Sequence, residues 1–192
     1  MSLVERAKAI LLTPQKEWPV IEAESTTTAA LYTGYIMPLA AIPAIAGFIG
    51  YSIFGVRVLG AAFRVPIGSG ITGAVVRYAG TLVGVYIVAL IIDALAPTFG
   101  GTKSQIQALK LVAYSSTASW IAGIFLLVPG LGILAILGLY SLYLLFIGLP
   151  VMMKSPQDKS LGYIVVAILC GIVVSIVVGA LTSRVIGYGS WY

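Results

Sequence analysis

From its start the chain is polar, with apolar residues returning every three or four positions, and it then gives way to long runs that are apolar on every face. Leu3, Val4, Ala7, Ile10 and Leu11 recur at helical spacing around Arg6 and Lys8, and Ser2 with Glu5 three residues later forms a capping-box pattern, so a short amphipathic helix is predicted. Thr13 before Pro14 repeats the start signal and opens a second short helix through Glu17, Trp18, Val20 and Ile21. Trp18 beside Lys16 suits an anchor at headgroup level; the alternative is that both helices pack on the end of a bundle.

Five apolar runs follow, at about 29–54, 71–95, 105–128, 131–152 and 161–182, each long enough for a crossing that needs about 20 residues. The expected architecture is an all-α integral membrane bundle of five transmembrane helices. It comprises a cytoplasmic amphipathic segment at 1–28 holding one or two short helices, a transmembrane domain at 29–183 and a short tail at 184–192. Trp191 and Tyr192 in that tail suit a membrane interface.

Each run carries its own irregularities. Pro38 and Pro43 should kink or locally unwind the first crossing. Arg77 lies about two turns inside the second, within snorkelling reach of the headgroups, and Gly80 with Gly84 forms a small-xxx-small pair suited to close helix approach. Ala96 to Gly101 reads as a tight turn, Ser104 as a cap, and Ser115, Ser116, Thr117 and Ser119 as a polar wall inside the bundle. Pro129-Gly130 reads as a minimal hairpin, and Gly148-Leu149-Pro150 as the end of the fourth crossing. In the fifth, Ala167, Gly171, Ser175 and Gly179 form one small-residue stripe, expected to bury against an internal helix or the same stripe of a second copy.

Composition supports this reading and narrows the chemistry. Of 192 residues 60% are apolar and 9% charged, against about a quarter charged in a soluble domain. There is no His, one Cys and only six acids, which excludes His-based triads, His-ligated zinc and paired-thiolate sites, so no catalytic, metal-binding or cofactor-binding residue is expected. Cys170, in an apolar run, reads as a small core residue. A Ser-Lys pair such as Ser115 with Lys110 lacks any nucleophile motif. The net charge is +5, but the basic residues are scattered and form no nucleic-acid stripe.

Charge position also sets orientation. With the N-terminus inside, Arg6, Lys8, Lys16, Lys103, Lys110, Lys154 and Lys159 lie inside, and Arg57, Arg64, Arg77 and Arg184 lie outside. Basic residues near short loops resist translocation, so the N-terminus is expected in the cytoplasm. Asp93 sits at the C-terminal end of the second crossing, where the helix dipole disfavours an anion, and the following turn should bring a cation alongside; Lys110 is the expected partner.

Several strings carry a family resemblance. Ala94-Leu95-Ala96-Pro97-Thr98-Phe99-Gly100-Gly101, the run from Gln107 to Thr117, Gly138-Leu139-Tyr140-Ser141-Leu142-Tyr143 leading to Gly148-Leu149-Pro150, and Lys154-Ser155-Pro156 with Asp158-Lys159 and Gly162-Tyr163 resemble the bacterial branch of the Yip (Ypt-interacting protein) family, as do Leu3-Val4-Glu5-Arg6 and Pro14 to Pro19. The resemblance implies five membrane helices, a cytoplasmic N-terminus and, for the bacterial branch, the inner membrane. Eukaryotic relatives bind prenylated Rab-type GTPases in vesicle traffic, but their acidic-aromatic Asp-Leu-Tyr-Gly-Pro motif has only an echo in Leu31-Tyr32-Thr33-Gly34-Tyr35, without the acid or the proline. Bacteria lack that traffic, so the role is not carried over, and no functional residue transfers.

The leading functional reading is a non-enzymatic scaffold or accessory factor that binds other membrane proteins or lipids, with a homo-oligomer as one form of partnership. The alternative is a small transporter or channel using Arg77, Asp93 and Lys110, since ionisable groups within a membrane are functional suspects. The topology has a direct test. In a Cys170→Ala background, single cysteines at Ser2 and Ser190 should react with an impermeant thiol reagent only at the second position in intact cells, and equal reactivity would contradict the assignment.

Overall fold

The computed structural model describes residues 1–58, 61–128 and 130–186. The Pro129 side of the expected hairpin and the tail residues Trp191 and Tyr192 lie outside them. Two short helices, α1 (Leu3–Leu12) and α2 (Pro14–Ala23), precede five helices long and apolar enough to cross a membrane: α3 (Thr28–Phe54), α4 (Ile67–Phe99), α5 (Gln105–Leu127), α6 (Leu131–Met153) and α7 (Gln157–Ile186). The fold is an all-α membrane bundle, with one antiparallel hairpin of β1 (Val56–Val58) and β2 (Ala61–Phe63) between α3 and α4. Five crossings place that hairpin on the face opposite the N-terminal segment, called here the far face.

Local chemistry explains the start of each short helix. In α1 the Ser2 hydroxyl accepts from the Glu5 amide at 3.2 Å while the Glu5 carboxylate accepts from the Ser2 amide at 2.8 Å, so two free donors are satisfied reciprocally. These bonds hold the Glu5 carboxyl below its ordinary value. In α2 Pro14 takes the first helical position, where no amide donor is needed.

Of the two prolines of α3, Pro38 is absorbed by a wide turn and Pro43 sits within regular helix. Pro38 has no amide for the preceding turn, and residues Tyr32–Ile36 relax into a π-helical turn before regular helix resumes at Met37. A second π-helical turn, Ile49–Phe54, closes the helix at Gly55, whose φ of 76° suits glycine. The expected local unwinding is therefore present, as widened turns and not as a break.

Helices α5 and α6 are interrupted where sequence patterning alone suggested continuity. Regular helix in α5 stops at Ser115 and resumes over Thr117–Ala122, then tightens to 3₁₀ geometry at Gly123–Leu127. The Ser116 hydroxyl bonds the Val112 carbonyl at 2.8 Å, a local competition with the helix that bends it. Ser104 occupies the cap position of α5, but its side chain makes no capping bond. The fourth crossing does not end at Pro150, because α6 carries that proline inside its last regular stretch, Tyr140–Met153. The Ala96–Gly101 turn forms as expected, a 3₁₀ turn closed by Gly100 at φ 71°.

Helix α5 runs through the centre of the bundle and is buried without interruption from Ala108 to Ser115. Helices α4 and α7 pack antiparallel. A side-chain carbon added at Gly80 would lie 2.7 Å from Val178 Cγ1, and one at Gly84 would lie 3.1 Å from Val174 Cγ1. The Gly80–Gly84 pair is thus a packing notch within the chain, filled by two valines. Of the two partners expected for the α7 stripe, an internal helix covers only its first residue. Ala167 is buried, but Ser175 and Gly179 are exposed and open space surrounds the Cα of both Gly171 and Gly179. The physical reason is rotational: Val174 and Val178 enter the α4 notches, and this turns the neighbouring small residues away from α4. Replacing Gly80 by Leu should therefore cost about 1–3 kcal/mol through overpacking, whereas Gly171→Leu should leave stability nearly unchanged. Thermal unfolding in detergent distinguishes them, and equal losses would contradict the seam.

Candidate functional site

The short helices dock on the near end of the bundle through polar chemistry. Helix α2 ends with no basic residue in its last turn, and its final carbonyls find their donor elsewhere. The Lys110 ammonium, 2% exposed as a residue, donates to the carbonyls of Ile21 at 2.7 Å, Glu22 at 3.4 Å and Glu24 at 2.5 Å. The Gln107 amide adds a bond to the Glu22 carbonyl at 3.0 Å. A cation at the negative end of a helix dipole is favourable, and a buried ammonium needs all its donors used. The buried Arg6 guanidinium bridges Glu17 and Glu24 and lies 5.9 Å from the Tyr114 ring centroid. Burial pulls its pKa down, but the hydrogen bond to Glu24 and the charges of Glu24 and Glu17 outweigh that, so it stands above its ordinary value. Exposed Lys154 pairs with Glu22 at 3.2 Å.

Trp18 completes the dock. It is fully buried, and a side chain at Gly148 would run into its ring, so the indole occupies a notch in α6. The headgroup-anchor reading of Trp18 is replaced by the bundle-end alternative. A second correction concerns the Asp93–Lys110 pair. Among the described residues no cation lies within 4 Å of Asp93, whose Oδ1 is buried without a hydrogen-bond partner. Competition explains this: the end of α2 presents Lys110 with several carbonyls at once. Asp93 instead sits beside Tyr163, whose hydroxyl donates to the Ile92 carbonyl.

The other candidate residues converge on one feature. A groove of about 570 Å³ runs between α4, α5, α6 and α7, and Arg77, Gly80, Gly84, Ala167, Gly171, Ser175 and Gly179 all line it. Asp93 and Lys110 do not. Part of the expected polar wall is helix glue: Ser119 meets the Ser141 hydroxyl at 2.8 Å and the Gly138 carbonyl at 2.9 Å, and Thr117 meets Tyr35 at 2.8 Å. Ser115 is different, for its hydroxyl lies buried in the groove wall without a partner. Arg77 is exposed and also borders a smaller cavity of about 180 Å³ against α3, lined by Pro43, Tyr51 and Ser52. Sequence reasoning missed the groove, Lys110 as the cap of α2, and the Trp18 notch. The uncapped end of α2 was the available signal for an outside donor.

Residues 8–179 match the Yip1 domain. The chain belongs to the Yip1 family. It is also 28% identical over 181 residues to inner membrane protein YohC of Escherichia coli K12, covering 92% of this chain and 93% of that protein, and the counterpart from Escherichia coli O6:H1 gives the same figures. No solved structure matches. The match takes in nearly the whole bundle, so the groove except Thr182 and most of the docked segment are built from residues of the Yip1 domain. Among the described residues no group of three or more His, Cys, Asp or Glu is placed to hold a metal ion.

The dock yields a prediction. Trp18→Ala should cost about 3–5 kcal/mol of local packing, and Lys110→Met should strand the carbonyls at the end of α2. Both variants should expose Lys8 and Lys16 to faster trypsin cleavage while the membrane-embedded fragment stays intact. Cleavage at the parent rate would show that the segment does not depend on these contacts.

Proposed function

We propose that this Yip1-family chain is a non-enzymatic scaffold or accessory protein of the inner (cytoplasmic) membrane, its N-terminal segment in the cytoplasm, that binds lipids or other membrane proteins along the groove. The observation that carries the reading is the small-residue stripe of α7. Gly171 and Gly179 face open space in the membrane layer, which leaves room for another apolar chain or helix at close range. The printed name of the Escherichia coli relative supports the membrane, and the excess of basic residues on the N-terminal side supports the orientation.

The transport alternative has less support. Of its three charged residues only Arg77 borders the groove, while Lys110 is held as a helix cap and Asp93 lies away at the near end. A photo-crosslinking residue at position 171, inside the groove, compared with one at position 169, where Leu169 is 56% exposed outside it, tests the binding reading in native membranes. Discrete adducts to a lipid class or a membrane protein should form from position 171 and not from 169. Identical adduct patterns would show that the groove holds only bulk lipid.

A further inference from the structure

The groove ends at a cation that the protein does not neutralise. The chain has six acids, and the structure puts every one on the near side: Glu5, Glu17, Glu22 and Glu24 in the N-terminal segment, Asp93 toward the near end of α4, and Asp158 in the first turn of α7. Arg77 lies ten residues along α4 from its far end, about 15 Å, with no carboxylate within 4 Å among the described residues. The antiparallel register that sets Val178 against Gly80 brings Arg184 level with Ala74, less than one turn from Arg77. Arg57 and Arg64 stand in the adjoining far-side segment. This end of the molecule therefore presents cations alone, in or beside hydrocarbon, where an unpaired charge is costly and an incoming anion correspondingly favoured.

The space around Arg77 has two unlike parts. Toward α3 lies the small cavity bordered by Tyr51 and Ser52, the latter buried with a hydroxyl that has no partner. Toward α7 lies the large groove, whose hydroxyls are mostly spent on their own helices: Thr81 on the Arg77 carbonyl at 2.9 Å, Ser175 on Gly171 at 2.8 Å and Thr182 on Val178 at 2.8 Å. Those side chains show methyls and methylenes beside Ile168, Val174 and Leu145, so the groove is apolar along its length and not a polar channel. A volume of about 570 Å³ is within the usual range of roughly 300–1,000 Å³ for small-ligand sites. An apolar trough that ends at an unpaired guanidinium, with an unpartnered hydroxyl in the cavity behind it, matches a molecule with an anionic head and a hydrocarbon tail.

We infer that this site binds an anionic glycerophospholipid, its phosphate paired with Arg77 and an acyl chain lying between α4 and α7 against the α7 stripe. The inference rests on the binding reading above and names its ligand. A guanidinium engages a phosphate through two parallel hydrogen bonds, and the Ser52 hydroxyl, packed against Gly70, is an unpartnered donor in the adjoining cavity. The Ser115 hydroxyl supplies a second unpartnered group in the groove wall.

The test uses the purified full chain in detergent, exposed to mixed micelles holding equal amounts of phosphatidylglycerol and phosphatidylcholine, with retained lipid counted by native mass spectrometry. Phosphatidylglycerol should be preferred by about tenfold, because the choline cation of phosphatidylcholine is repelled by Arg77 and competes with it for the phosphate, and Arg77→Gln should erase the preference. Gly171→Phe points its side chain into open space, so it should keep the parent's melting temperature while cutting retention of both lipids. A preference that survives Arg77→Gln overturns the inference. So does displacement by inorganic phosphate combined with no effect of Gly171→Phe, which would make the site one for a bare anion. If position 171 crosslinks only to a membrane protein or to a second copy of this chain, the accessory reading stands and the lipid inference fails; if it gives no discrete adduct, both fail.

Discussion

Hydrocarbon offers no hydrogen bonds, and every irregularity of this chain answers to that constraint. A peptide group freed inside the membrane layer must be served by the protein. Helix α3 meets the loss at Pro38 with a π-helical turn, and at the interruption of α5 the Ser116 hydroxyl donates to the Val112 carbonyl. The same rule operates at the near rim. There α2 ends without a cap of its own, and the ammonium of Lys110 reaches from α5 to serve its carbonyls. That contact joins the polar N-terminal segment to the apolar bundle, and the Arg6 and Trp18 contacts consolidate the join.

What the sequence made legible follows from the same physics. Long apolar runs are readable because their lengths must match the membrane, and the Ser2–Glu5 box and the Ala96–Gly101 turn are readable because their partners lie a few residues away. The Gly80–Gly84 notch was readable too, since only glycines allow that approach. The rotation of each helix about its axis was not. Helix α7 is apolar on all sides, and lipid accepts an apolar face as readily as another helix does, so no pattern distinguishes the face that packs from the face that stays open. The result turned on two valines, Val174 and Val178, which ordinary pattern reading passes over. Lys110 was misjudged for a related reason. Its nearest opposite charge along the chain was Asp93, but a buried ammonium seeks three acceptors, and the end of a helix supplies them more fully than one carboxylate.

The groove and the seam are two consequences of one rotation. With Val174 and Val178 seated in α4, the residues one or three positions away, Gly171, Ser175 and Gly179, must stand at the lip of the contact. Close packing of the two valines on α4 thus leaves the trough open beside the seam, and neither could be altered by turning the helix without losing both. This differs from the near end, where Trp18 fills the gap left by Gly148.

The segregation of charge has a consequence for how the two faces respond to their surroundings. On the near side seven basic residues are set against six acidic ones, so that face is almost neutral, and the net charge of +5 resides chiefly in the four arginines opposite. Arginine keeps its proton throughout the biological range, and the far face carries no side-chain carboxylate to titrate against it. Its positive field is therefore uncompensated from within the protein, while on the near face acids and bases largely cancel. A bilayer around this molecule meets one surface of strong positive potential and one that is nearly balanced.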